Sequence, residues 1–283
     1  MRMDRTKVPF PMQAALSQEL RHEQMAQSLK QGFPRLAKVP VANRSISLIG
    51  YGPSLEDTWK QITRPIMTMS GAHDFLIERG IVPDFHCEMD PRKHKVSMLT
   101  PHRDVHYFMA SVCHPLMWEK LQGFSIALWH CVSGNQTLEW VKKHDPDTLL
   151  VSGGSCMGLV AIHLAGCMGF NHFELHAYDG CYREGRRHAG KHLGHLHGTI
   201  DTKIWGNWYK TSRIMENSNI ELQNLFNWFP VFAVFHGEGR NQKFAELTKL
   251  PNIAIEGTPK AEMVRGGKVV YTIQSEVEKL LAA

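Results

Sequence analysis

Ser45-Ile-Ser-Leu-Ile-Gly-Tyr-Gly-Pro-Ser-Leu55 is the stretch whose reading decides the fold. Ser45 to Ile49 alternates polar and apolar β-formers, the pattern of a strand. Gly50 and Gly52 break it, Pro53 suits the first turn of a helix, and Ser54 and Leu55 lead into Glu56-Asp-Thr-Trp59. Such a junction can take an anion, because glycine lets a phosphate approach the backbone and a helix start carries free N–H groups and positive potential. An ordinary β–α turn has the same letters, so the surrounding chain must decide between the two.

Outward from this stretch, strand-like and helix-like segments alternate. Strands are expected at Pro65–Met69, Phe85–Met89, Val105–Val112, Ser125–Val132, Leu149–Val151, Phe173–Ala177 and Val231–Phe235. Helices are expected at Leu55–Ile62, His73–Arg79, Pro115–Leu121, Cys156–Met168, Ser218–Trp228 and Phe244–Leu250. A further strand, Asn252–Glu256, and a helix, Ser275–Leu281, close the chain. This order predicts an α/β, Rossmann-like fold, a mainly parallel sheet with helices on both faces. Residues 1–43, with a helix over Met12–Gln31, read as an N-terminal helical extension, and 44–283 as one domain. Ligands of such sheets lie at the carboxyl ends of the strands. Three polar clusters are expected there: 50–55, 84–92 and 178–188. Arg183 to His197 reads as a long active-site loop.

Composition narrows the class. Of 283 residues, 43% are hydrophobic and 21% charged, which is the balance of a folded globular chain. No apolar run is long enough for a membrane span, and the charged N-terminus lacks the apolar core of a signal peptide. Six scattered cysteines without Cys-x-x-Cys spacing fit reduced thiols and a cytoplasmic protein. A net charge of +5 suits phosphorylated ligands without specifying them. The absence of Gly-x-x-x-x-Gly-Lys-Ser/Thr excludes a P-loop kinase, and no Gly-x-Ser-x-Gly elbow supports a serine hydrolase.

Candidate chemistry falls on the expected carboxyl edge. Glu88 and Asp90 share a strand face and are candidate magnesium ligands through hard oxygens, whereas Asp84 reads as a turn residue after Pro83. Ser70, at the end of a strand, and Gly153, Gly154 and Ser155, at the start of a helix, are candidate phosphate contacts, with capping as the alternative for the serines. Of the 17 histidines, His163, His172 and His176 read as structural. His188, His192, His195 and His197 lie among Arg183, Arg186, Arg187 and Lys191 in a basic loop that reads better as an anion clamp than as a metal site. There His188 is the candidate general base, Asp90 is the second candidate catalytic residue, and Asp179 is a candidate nucleotide or phosphate contact at the same edge. Trp205-Gly-Asn-Trp-Tyr-Lys210 offers aromatic rings beside cations, either to stack bases or to pack under a lid.

Together, Ile49-Gly-Tyr-Gly-Pro-Ser-Leu55, Gly80-Ile-Val-Pro-Asp-Phe85, Glu88-Met-Asp-Pro91, Ser152-Gly-Gly-Ser155 and Tyr178-Asp-Gly-Cys-Tyr182 resemble the MptE-like family. That family is named for an archaeal 6-hydroxymethylpterin diphosphokinase and includes the motility accessory factor glycosyltransferases. The resemblance, over about residues 45–240, implies a Rossmann-like nucleotide-binding domain. In it Gly50, Gly52, Pro53 and Ser54 hold nucleotide phosphates, with Asp90 beside them. A related Gly-x-Gly-Pro-Ser-Leu turn in bacterial sialyltransferases contacts the nucleotide of a CMP-sugar. One departure stands out. Diphosphokinases of this kind carry a Thr-Asp-Leu-Asp-Gly-like magnesium run, and here the run is Cys87-Glu-Met-Asp-Pro-Arg92. The expectation is therefore a transferase, first a glycosyltransferase using a nucleotide-sugar. Pyrophosphoryl transfer from ATP with magnesium is the alternative, and a non-catalytic nucleotide or nucleic-acid binder is the third reading. The acceptor stays open among glycan, protein, small molecule and modified DNA, and the N-terminal helix is a candidate homo-oligomer contact.

Overall fold

β1 (Ser45–Ile49) lies inside an eight-stranded sheet and pairs in parallel with β2 (Ile66–Met69) on one side and β7 (His172–His176) on the other. The computed structural model describes residues 15–132, 134–151, 154–190, 198–204, 206–228 and 232–248, and the hairpin strands 264–265 and 268–269. The other strands are β3 (Phe85–Glu88), β4 (His106–Ala110), β5 (Ser125–Cys131), β6 (Leu150–Val151) and β10 (Phe232–His236). Their order is β10-β7-β1-β2-β3-β4-β5-β6, and every neighbouring pair is parallel. The chain winds outward from β1 to β6, then returns to the free side of β1 for β7. That reversal puts the topological switch point between the carboxyl ends of β1 and β7.

Both faces of the sheet are covered, as parallel sheets require. Ile46 and Leu48 of β1 enter the large core cluster with α6 (Met157–Cys167) residues such as Leu159, Ala161 and Leu164. Ile49 joins a smaller cluster with Leu55 of α2 (Leu55–Thr58) and Ala72, Phe75 and Leu76 of α3 (Ala72–Ile77). The N-terminal segment is knit into this body. In α1 (Gln18–Lys30), capped by Ser17, Met25 enters the large core. The following strap hydrogen-bonds to β5 through Leu36 N to Leu128 O at 2.8 Å, and to α6 through Val39 N to Cys167 O at 2.8 Å.

Several features differ from the sequence reading. The expected helix 55–62 shortens to α2 plus a 3-10 turn over Trp59–Gln61. After Tyr182 there is a hairpin of β8 (Thr199–Ile204) and β9 (Asn207–Ser212), outside the main sheet. Its inward positions mix apolar Ile200 and Ile204 with polar Thr202 and Thr211, and Trp208 is exposed, so no clean apolar alternation marks it. Helix α4 (Pro115–Lys120) is where it was expected, α5 (Asn135–His144) was not anticipated, and α7 (Arg213–Trp228) and α8 (Arg240–Thr248) begin earlier than their periodicity suggested. The segments expected at 252–256 and 275–281 lie outside the described residues. Among the described residues no helix is long and apolar enough to cross a membrane.

Candidate functional site

At the switch point the glycine turn packs on the end of β7. Gly50 N donates to His176 O at 2.8 Å and Gly52 N to Ala177 O at 3.1 Å. A Cβ on Gly50 would lie 2.6 Å from Ala177 O, and one on Gly52 would lie 2.6 Å from Asp179 Oδ2. Only glycine permits that approach. Buried Asp179 accepts from Ser54 N at 2.8 Å, from Ser54 Oγ at 2.5 Å and from Gln242 Nε2 at 2.9 Å. Burial pushes its carboxyl above the ordinary value, against the opposing pull of these donors. Of the expected phosphate contacts, Gly50 and Gly52 thus spend their N–H groups on the His176 and Ala177 carbonyls, and Ser54 and Asp179 bond to each other. Pro53 opens the short helix that this latch fixes. The glycines answer to a backbone neighbour, which a sequence pattern cannot separate from an anion.

On the other side of β1 lies a line of charges. Ser70 follows β2 in the left-handed region at φ 52°, a conformation L-residues rarely hold. Lys95 Nζ donates to Ser70 Oγ at 2.6 Å and lies 3.3 Å from Glu88 Oε2, with Lys95 and Glu88 both buried. Glu88 Oε1 accepts from Met89 N at 2.9 Å and Asp90 N at 3.0 Å. Asp90 accepts from Arg92 Nε at 2.8 Å and from the Arg92 terminal nitrogen at 2.5 Å. Burial pushes the Asp90 carboxyl up, but the Arg92 hydrogen bonds and the Lys95 and Arg92 charges outweigh it, leaving it below its ordinary value. Asp84 is at the opposite edge, where it pairs with Arg64 at 2.5 Å and accepts from Ile66 N at 2.7 Å. The expected cluster 84–92 therefore spans the strand, and only 88–92 reaches the site.

The basic loop divides into two kinds of arginine. Arg183 and Arg186 close a tight turn, hydrogen-bonded at 3.0 and 2.9 Å across Glu184 and Gly185, which both have positive φ. Arg183 pairs with Asp57, and Arg186 with Glu56 at 2.8 Å, so both reach across to α2. Arg187 differs. It is half-buried and has no ion-pair or hydrogen-bond partner among the described residues. Burial lowers its pKa, with Tyr182 and Cys156 opposing and Arg92 reinforcing the shift. Its chain neighbours His188 and Ala189 are tied to Tyr51, which sets Arg187 at the switch-point edge. His188 stacks on Tyr51 with ring centroids 5.4 Å apart, and its Nδ1 lies 3.3 Å from Tyr51 O. A carbonyl only accepts, so Nδ1 carries the proton and Nε2 is the basic nitrogen.

At the α6 N-terminus, Ser155 is held by α7. Its N donates to Glu221 Oε2 at 2.8 Å and its Oγ to the same atom at 2.5 Å. A Cβ on Gly154 would lie 2.6 Å from Leu159. Gly153, His192, His195 and His197 lie outside the described residues. Of the expected set, the fold brings Ser70, Glu88, Asp90, Arg187 and His188 to one edge and gives Ser54, Asp179, Ser155 and Arg183 structural partners. The residues missed were Tyr51, Lys95 and Arg92. Lys95 stands at no motif, and only the 3-10 turn Lys93–Met98 carries it back over β2 and β3.

A doubly wound parallel sheet, with its polar residues gathered where the winding reverses, defines the class. Residues 18–185, more than half of the chain, match the model of the family described as 6-hydroxymethylpterin diphosphokinase MptE-like, and the chain belongs to that family. The match begins at α1, earlier than the resemblance starting near residue 45 implied. Among solved structures, the MAf glycosyltransferase from Magnetospirillum magneticum AMB-1 is similar, with a TM-score of 0.58 and 11% identity, over 95% of this chain and 43% of that one. This chain thus spans less than half the length of that protein, and at such identity the likeness is one of fold. No curated protein sequence matches the chain.

Proposed function

We propose that this protein is a nucleotide-dependent transferase, specifically a glycosyltransferase whose donor is a nucleotide-activated sugar. One observation carries the reading: Arg187, half-buried at the switch-point edge and without an internal partner among the described residues. A guanidinium taken partly out of water has its charge satisfied by an anion, and its planar fork matches a phosphate. Family membership supports transfer chemistry, and the fold of the glycosyltransferase neighbour supports a sugar as the group moved. In this reading Arg187 holds the phosphate that departs with the nucleotide, and the Ser70 hydroxyl lies along the same edge. His188 serves as the base for the acceptor hydroxyl, with its ring held by stacking on Tyr51. Stabilisation of the charge developing on the leaving phosphate supplies most of the rate. All six cysteines are free thiols, which supports a cytoplasmic setting.

A thermal-shift screen against CMP, UDP, GDP, ATP and CMP- or UDP-sugars, with and without magnesium, tests this. A ligand at 100 times its dissociation constant adds about 2.7 kcal/mol. Stabilisation by CMP or UDP species supports the reading and names the donor base. Stabilisation by ATP alone with magnesium moves it to pyrophosphoryl transfer, and silence from every nucleotide refutes it.

A further inference from the structure

The resemblance to diphosphokinases implies a magnesium ion on Glu88 and Asp90, and the donor set does not fit one. All four carboxylate oxygens are occupied. Glu88 Oε1 takes two backbone N–H groups, and Oε2 faces Lys95 Nζ at 3.3 Å. Asp90 Oδ1 takes Arg92 Nε at 2.8 Å and Arg92 N at 3.1 Å, and Oδ2 takes the guanidinium end at 2.5 Å. Among the described residues no group of three histidines, cysteines or carboxylates surrounds a common point.

Lys95 Nζ stands between a carboxylate oxygen and the Ser70 hydroxyl, 2.6 Å away. These are the hard oxygen ligands that magnesium takes in phosphate sites. The lysine is only 6% exposed, so it was not placed there for solubility. Ser70 holds a left-handed conformation at φ 52° to present its oxygen, a rare state for a residue with a Cβ. Since that oxygen accepts from Lys95, the Ser70 O–H is left to donate outward to an anion. Lys95 and Arg92 neutralise Glu88 and Asp90, and Arg187 remains as one surplus positive charge at the same edge.

We infer that Lys95 is a built-in replacement for the divalent cation: it occupies the focus of Glu88 and Ser70, and the site binds its anion through Lys95, Ser70 and Arg187 without a metal on Glu88 and Asp90. The identity of the anion rests on the nucleotide reading above, but the placement of the cation does not. The test titrates the full chain with Mn²⁺, followed by electron paramagnetic resonance, alongside Lys95→Ala and the double variant Lys95→Ala/Glu88→Gln. The wild type is expected to bind no Mn²⁺ that Glu88→Gln abolishes. Lys95→Ala gains one such ion, and the double variant loses it again. A wild-type Mn²⁺ site that disappears in Glu88→Gln or Asp90→Asn overturns the inference, as does a folded Lys95→Ala that gains nothing. Should Lys95→Ala fail to fold, the wild-type titration with its Glu88→Gln control still decides. A parallel nucleotide thermal shift in EDTA and in magnesium separates the two claims. Equal shifts support metal-free binding, and a shift that requires magnesium overturns it. No shift in either refutes the nucleotide reading and leaves the Mn²⁺ result to judge Lys95.

Discussion

Removing the Asp179 carboxylate should unlatch the glycine turn, and the geometry fixes the size of the effect. Its side chain accepts three hydrogen bonds, two from Ser54 and one from Gln242, with Ser54 fully buried. In Asp179→Ala, Gln242 keeps its bond to His236 O at 3.1 Å, so two buried Ser54 donors are orphaned. Each orphan costs about 1–3 kcal/mol. Against that stands relief of burying the carboxylate, whose raised pKa shows incomplete compensation. The net loss should be about 3 kcal/mol. Asp179→Asn keeps the shape and one acceptor, and should lose about half as much. Urea unfolding followed by circular dichroism reads this as a lower midpoint at constant slope. A double-mutant cycle with Ser54→Ala should return a coupling of about 1 kcal/mol or more. If Asp179→Ala unfolds within about 0.5 kcal/mol of wild type, within the range of ordinary surface changes, the latch does not hold the turn. If Asp179→Asn loses nucleotide binding at unchanged stability, Asp179 is a ligand contact and the latch argument fails.

The remaining predictions concern packing, charge and pH. Gly52→Ala should cost about 1–3 kcal/mol because its Cβ meets Ala177 O and Asp179. Gly80→Ala, which has open space and only an unfavourable φ of +76°, should cost about 1 kcal/mol; equal midpoints in urea would contradict the close packing at Gly52. Arg183→Ala should change stability by no more than about 1 kcal/mol, because its pair with Asp57 is solvent-exposed. It should also leave nucleotide affinity intact, and a large loss in a binding titration would return Arg183 to the site. His176, 1% exposed and stacked on His236 at 4.2 Å, has its pKa pushed down to about 3 by burial and by the His236 charge. The unfolded histidine takes a proton near pH 6.5 and the folded one resists, so stability falls as pH drops from about 6.5 toward 3. Between pH 7.5 and 5 this single group accounts for about 2 kcal/mol, so His176→Phe should flatten the stability profile by that amount in melts across the range. An unchanged slope would contradict it.

The sheet was legible because each buried parallel strand is a short run of β-formers cut off by glycine, proline or a polar turn. Ser45–Ile49 before Gly50, and Phe173–Ala177 before Tyr178-Asp-Gly180, show this directly. The β8–β9 hairpin was not legible, since polar Thr202, Thr211 and Ser212 interrupt the apolar period of its inward face. At the candidate site the residue types were visible but their partners were not. Gly52 reads the same whether its close neighbour is a phosphate or Ala177 O. Arg183 and Arg187 are indistinguishable in a basic loop until α2 supplies Asp57 and Glu56 to Arg183 and Arg186. Lys95 was invisible because its meaning depends on contacts with Ser70 and Glu88, 25 and 7 positions away in the chain.

Calorimetric titration of wild type and Arg187→Met with the nucleotide that gives the largest thermal shift tests the central claim most directly. A charge-assisted contact is worth about 1.5–3 kcal/mol, so Arg187→Met should weaken binding by about 10- to 100-fold. Circular dichroism should show the variant as well folded as the wild type. Affinity that survives the substitution unchanged would contradict the account, because the anion would then lie elsewhere than the switch-point edge.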